Sequence, residues 1–200
     1  LHLCDRRQRQ MCIRDSYYPT EMEIVFDTEG DPTVIGYQNG KIVAYQYDSI
    51  EGTFSKTSIC VLSYEREEPV IEIEFAATPD RSKAYFCVKD WMGHDVRNDH
   101  FTIGYYDAQT GESETAEILP EEGKQIVNPY ITYSAYDDSL YIAYTTYIEK
   151  ARLNFECSFD LYRGSWETGA FTLEHIANIQ TDLNCMSNYV YRCLLYTSPS

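Results

Sequence analysis

The stretch from Asp90 to His100 holds the densest set of chemically capable side chains in this sequence. Asp90, Asp95 and Asp99 supply carboxylates, His94 and His100 imidazoles, and Trp91 a broad aromatic face. Calcium takes oxygen ligands at regular alternation, and this spacing does not supply it. The segment therefore reads as a polar loop with one aromatic anchor. Loops on a rigid scaffold are where ligand contacts concentrate. Asp90, Trp91, His94, Asp95 and Asp99 are the expected ligand-binding residues, with no metal and no cofactor implied. Asp31, just before Pro32, is a carboxylate whose simplest task is to cap a turn. His175 falls in an outer strand and reads as structural. Glu65, Glu67 and Glu68 around Arg66 form a charged run beside a strand, the kind of edge that discourages sheet-to-sheet association. There is no Gly-rich phosphate loop, no G-x-S-x-G elbow and no H-E-x-x-H pair.

Both ends of the chain look foreign to it. Arg6-Arg7-Gln8-Arg9-Gln10-Met11-Cys12-Ile13-Arg14-Asp15 matches, in frame, the translation of a transposase-type sequencing adapter. Cys193-Leu194-Leu195-Tyr196-Thr197-Ser198-Pro199-Ser200 matches the reverse strand of the same transposon end. Residues 1–16 and 193–200 are thus expected to be adapter-derived, and 17–192 to be a fragment of one domain; such segments are set aside before fold is considered. The formal charge of the whole sequence is −16, from 16 basic and 32 acidic residues. Without Arg6, Arg7, Arg9, Arg14, Asp5 and Asp15 it becomes 12 − 30 = −18. That balance argues against nucleic acid, whose phosphates demand Lys and Arg. No apolar run reaches the roughly 18 residues of a membrane helix. Cys60, Cys87, Cys157 and Cys185 remain in the interior; they form no C-x-x-C pair, and Cys60 and Cys87 sit in apolar strand patterns as buried thiols.

The elements that must hold these groups are strands. Helical spacing is hard to find, whereas period-2 alternation with turn punctuation runs throughout. Val70-Ile71-Glu72-Ile73-Glu74-Phe75, Tyr130 to Tyr136 and Leu140 to Tyr144 all alternate. Turn signals stand at Asn39-Gly40, Pro79-Asp80, Asp137-Asp138, Gln109-Thr110-Gly111 and Thr168-Gly169. Three segments share a polar residue, a proline, a strand, a tight turn and a strand containing Ala-Tyr. They open at Asp31-Pro32, Glu68-Pro69 and Asn128-Pro129, and reach Ala44-Tyr45, Ala84-Tyr85 and Ala143-Tyr144. Proline, lacking an N–H, suits the first residue of a strand. The last two units carry four strands each, at a spacing of 128 − 68 = 60 residues; the first spacing, 68 − 31 = 37, leaves room for one strand fewer. Units near 31–67, 68–127 and 128–182 of about four antiparallel strands predict an all-β chain, a partial β-propeller of about three blades. A blade cannot bury both faces alone, and three cannot close a ring.

Three resemblances bear on this reading. Ala77-Thr78-Pro79-Asp80-Arg81-Ser82-Lys83-Ala84-Tyr85-Phe86 resembles the blade signature of TolB-like and WD40-like propellers, with Arg81 where that signature has glycine. Tyr106-Asp107-Ala108-Gln109-Thr110-Gly111-Glu112 resembles their outer hairpin. Asp31-Pro32-Thr33-Val34-Ile35 with Asn39-Gly40-Lys41 is similar to the opening blade of five-bladed arabinanases and xylosidases. That likeness implies a catalytic general base at Asp31. Hydrolysis of this kind also needs a protonated second carboxyl group, and the equivalent repeat positions hold Glu68 and the non-titrating Asn128. Ser165-Trp166-Glu167-Thr168-Gly169-Ala170-Phe171 resembles the sialidase Asp-box, a structural turn in that family, with Glu in place of Asp.

Function is only thinly written here, because a propeller fold hosts many activities. The expectation is a non-catalytic module binding a protein or a carbohydrate, in a secreted or cell-envelope setting. The alternative is a glycoside hydrolase-like enzyme with Asp31 as base. Tyr130, Tyr133, Tyr136, Tyr141, Tyr144 and Tyr147 would serve chiefly as core and inter-blade packing.

Overall fold

The computed structural model describes residues 22–38, 40–62, 72–90, 100–151, 154–167 and 170–181. They form twelve strands: β1 (Met22–Phe26), β2 (Pro32–Gln38), β3 (Lys41–Asp48), β4 (Thr53–Val61), β5 (Ile73–Ala77), β6 (Lys83–Asp90), β7 (His100–Asp107), β8 (Ser113–Ile118), β9 (Gln125–Ser134), β10 (Ser139–Ala151), β11 (Asn154–Glu167) and β12 (Ala170–Thr181). There is no helix among the described residues. The strands build three four-stranded antiparallel meanders, β1-β2-β3-β4, β5-β6-β7-β8 and β9-β10-β11-β12, and no strand crosses from one sheet to another. This is an all-β arrangement of three consecutive four-stranded antiparallel sheets, consistent with the partial propeller expected.

The turns show why the chain folds back where it does. Each first hairpin places one residue in the left-handed region: Gly30 (φ 87), Arg81 (φ 56) and Asp138 (φ 53). Glycine takes this conformation freely, whereas other residues incur about 1–2 kcal/mol. Arg81 has compensating contacts. Its carbonyl accepts from Phe26 N at 2.8 Å, and its guanidinium donates to Ile24 O and to Glu23 Oε1, each at 2.9 Å. The turn residue that replaces glycine thus ties the second sheet to the first. The last hairpins of the first two sheets are near copies. Asp48 Oδ1 accepts from Ile50 N and Glu51 N, both at 2.9 Å, ahead of Gly52 (φ 66). Asp107 Oδ1 accepts from Gln109 N at 2.9 Å and Thr110 N at 3.2 Å, ahead of Gly111 (φ 73).

The first sheet opens at Met22, ahead of the Asp31-Pro32 marker from which the sequence pairing starts its unit. β1 is the strand that the short first spacing left unfilled, and Pro32 heads the second strand of its sheet. Pro129 differs again. β9 runs back to Gln125, so this proline lies inside the strand. Asn128 has φ 54, and the β9–β10 register shifts between Ala143 and Thr145. A bulge is one of the few strand sites that tolerates proline.

Alternation along the strands builds two cores. Between the first and second sheets lie Val25, Ile35, Ile42 and Ala44 against Ala84, Phe86, Val88 and Tyr106. Between the second and third lie Ala76, Cys87, Phe101 and Ile103 against Ile131, Leu140, Ile142 and Tyr144. In β6, Ala84, Phe86 and Val88 face one way and Cys87 the other, the period of two that a pleated strand imposes. The middle sheet is consequently packed on both faces, through β6 and β7 above all. Gly104 and Gly164 both lie in the third strands of their sheets, where a side chain would not fit. A Cβ on Gly104 would meet Glu114 O at 2.7 Å and the Phe86 ring; one on Gly164 would meet the Phe171 ring at 2.9 Å.

Candidate functional site

The last three strands outrun their neighbour. β10, β11 and β12 have 13, 14 and 12 residues, against 8, 8 and 6 for β6, β7 and β8. Leu140, Ile142 and Tyr144 pack on the second sheet; further along the same face come Thr146 and Ile148. Their partners across β11 are Ser158 and Glu156, with Asp160 opposite Tyr144. This overhang walls a cavity of about 550 Å³. The β8–β9 connection adds Glu121 and Lys124, and β12 adds His175 and Asn178.

Asp160 is the hub of the cavity. Its side chain is buried, and both oxygens are occupied. Thr146 Oγ1 donates to Oδ2 at 2.7 Å and Ser158 Oγ to the same oxygen at 3.3 Å. Asn178 Nδ2 donates to Oδ1 at 2.5 Å, and His175 Nε2 lies 3.4 Å from it. Burial alone would raise the pKa of this carboxyl. The four donors, Asn178 foremost, outweigh burial and hold it below the ordinary aspartate value. Hydrogen bonds to the charged form act in that direction. The ring of Tyr162 stacks on Tyr144 at 5.1 Å and meets the His175 ring edge-on at 5.0 Å. Lys124 Nζ pairs with Glu121 Oε2 at 2.6 Å. Asp160 thus fixes the orientation of a hydroxyl, an amide and an imidazole beside an aromatic ring. Among the described residues no group of three or more His, Cys, Asp or Glu side chains is arranged to hold a metal ion.

A second cavity, of about 400 Å³, opens near the hairpin turns of the second and third sheets, with Asp80, Lys83, Tyr85, Asp107, Tyr133 and Asp138 among its walls. Tyr85 and Tyr133 stack across the sheet boundary at 5.4 Å. Burial, then the charge of Asp138, pushes the Tyr85 phenol up to about 12. Lys83 Nζ sits 4.6 Å over the Tyr105 ring and 3.3 Å from Asp107 Oδ2. The cation of this cavity is already paired within the protein.

Asp31 lines neither cavity. Its Oδ2 accepts from Ser49 N and Ser49 Oγ, both at 3.0 Å, while its own N–H donates to Asp27 Oδ1 at 2.9 Å. The carboxylate braces the β1–β2 turn against the β3–β4 turn. Asp90 ends β6 opposite His100; Trp91, His94, Asp95 and Asp99 lie outside the described residues. The roots of that loop share an end of the second sheet with Ile118, where the chain leaves for Glu121 and Lys124. No protein family matches the chain. None of the curated proteins compared with it is similar in sequence either. The tyrosines divide: Tyr144 is buried and Tyr136 is 99 % exposed. Cys87 is a buried thiol and Cys60 a half-buried one, neither in a disulfide, and Cys157, beside the first cavity, is disulfide-bonded.

Sequence reasoning missed Asp160, Asn178 and Thr146 and gave His175 a structural part. Asp160 and His175 are fifteen positions apart on neighbouring strands, and a β-bulge between Leu161 and Tyr162 sets their relative phase. No local signal marked Asp160: it falls in phase with the polar Glu156 and Ser158, so this stretch of β11 reads as an ordinary alternating strand.

Proposed function

We propose that this chain is a propeller-type binding module that takes a carbohydrate in the cavity on the overhang of its third sheet. The observation that carries the reading is the Asp160 hub, which holds Thr146, Ser158, Asn178 and His175 at hydrogen-bonding distance in one cavity. Sugars present many hydroxyl groups that both donate and accept. A pre-oriented set of amide, hydroxyl and imidazole groups suits them, because ordering those side chains no longer opposes binding. Tyr162 supplies an aromatic surface for the apolar face of a sugar ring. The cavity size falls in the range of small-ligand sites, about 300–1,000 Å³.

The test is titration calorimetry of the 200-residue chain against a panel of neutral and charged oligosaccharides, alongside Asp160→Asn and Asn178→Ala. Binding by the parent chain and at least tenfold weaker binding by both variants, with their folds intact by circular dichroism, supports the reading. Undiminished binding by both variants, or no binding to any saccharide, overturns it.

A further inference from the structure

Resting on that reading of the Asp160 cavity, we infer that its ligand is a neutral saccharide held through hydroxyl groups that it donates to the hub. Asp160 is an ionised carboxylate and accepts from each of its neighbours. A hydroxyl carries a single proton. Thr146 and Ser158 both give theirs to Asp160 Oδ2, so each has only lone pairs to turn toward the cavity that they line. Asn178 gives one N–H to Asp160 Oδ1 and keeps its second N–H and its carbonyl oxygen. His175 has Nε2 beside the same carboxylate oxygen and keeps Nδ1, an acceptor on the neutral ring. The hub therefore leaves four accepting atoms against one donating N–H. Whatever enters has to supply the protons of the new hydrogen bonds.

The charged groups of the wall are already engaged within the protein. Lys124 pairs with Glu121 at 2.6 Å, Glu156 has a partner of its own, and both Asp160 oxygens are filled. A uronate or sulfated sugar would meet the carboxylates of Glu121, Glu156 and Asp160 and a lysine already paired. An ammonium would reach a carboxylate only by displacing the group now bound to it. A charge that leaves water without a counter-ion is costly. A sugar hydroxyl exchanges one neutral hydrogen bond for another, and each acceptor of the hub that it fails to meet is left desolvated. The acceptor set thus selects a ligand by the hydroxyl protons it carries, and Tyr162 packs against its ring.

The experiment is calorimetry of the full chain with neutral gluco-, manno- and galacto-oligosaccharides. Each is compared with its uronate and amino counterparts, and with analogues in which one hydroxyl at a time is replaced by fluorine. Fluorine keeps nearly the size of the hydroxyl and removes its proton. At about pH 7 the uronates and amines are charged. A neutral form should bind at least tenfold more tightly than its uronate and more tightly than its amine. Fluorine at one or more ring positions should cost about tenfold, as expected when an acceptor loses its donor. Ser158→Ala, with folding checked by thermal melt, should weaken the neutral form several-fold and remove the fluorine penalty at one ring position. Tighter binding of a uronate or an amine, no fluorine penalty at any position, or penalties that Ser158→Ala leaves unchanged overturns this inference and leaves the carbohydrate site standing. Absence of binding to every class overturns both.

Discussion

At the residue scale the molecule turns on Asp160, a buried carboxylate with four donors. Its folded pKa lies below the unfolded one, so the sign of its pH dependence follows. The stability it confers is fully present above about pH 4, the unfolded value, and disappears as pH falls through the lowered folded value. Asp160→Asn should flatten the acid limb of the stability curve below about pH 4, measured by urea unfolding at a series of pH values. Asp160→Ala, which strands the buried hydroxyl of Thr146 and the amide of Asn178, should cost about 1–3 kcal/mol at neutral pH. An acid limb unchanged in Asp160→Asn would mean that another group dominates. The hub was hidden in the sequence for a simple reason. Polar residues in strands are ordinary, and only the registers of β10, β11 and β12 bring Thr146, Ser158, Asp160 and Asn178 together. Asp31 shows the converse: a conspicuous Asp-Pro signal whose partner, Ser49, is in a turn eighteen positions on and offers no motif of its own.

At the element scale the middle sheet decides stability, because among the described residues it alone is packed on both faces. Phe86 is fully buried there between two sheets. Phe86→Ala should cost about 3–5 kcal/mol, whereas Phe54→Ala, at a site 65 % exposed, should fall within about 0.5 kcal/mol of the parent chain. Chemical denaturation reads both, and equal effects would contradict the double-sided burial. Gly104→Ala should cost about 1–3 kcal/mol through overpacking, because its new methyl has nowhere to go between the Phe86 ring and Glu114 O. At this scale the sequence was readable. β7 runs from His100 to Asp107, and the last hairpin of the second sheet turns at Gly111, as alternation and turn chemistry predict. What misled was proline: Pro32 heads a strand, Pro129 sits in a bulge, and treating them as equivalents put the first unit one strand out of phase. Proline reports a missing N–H, and both environments accept that.

At the scale of the whole molecule the excess of acidic residues matters more than any pair. A net charge of −16 repels itself in the compact state. Thermal midpoints at neutral pH should rise by a few degrees between about 10 and about 200 mM sodium chloride, as the Debye length falls from about 30 to below 10 Å. A fall in the midpoint over that range would show that specific ion pairs such as Arg81–Glu23, at 2.9 Å, outweigh general repulsion. Local patterning was sufficient to determine that the described residues are all-β, that their strands pair antiparallel, and where most of the described turns lie. Alternation, turn residues and β-propensity act over a few positions and leave their mark in the string of residues. Only the tertiary structure decided which strand opens the first sheet, which faces bury one another, and that Asp160, Asn178, Thr146 and His175 share one cavity. Those outcomes depend on strand register and on unequal strand lengths across a sheet, and a slip of one residue would send each of these side chains to the opposite face.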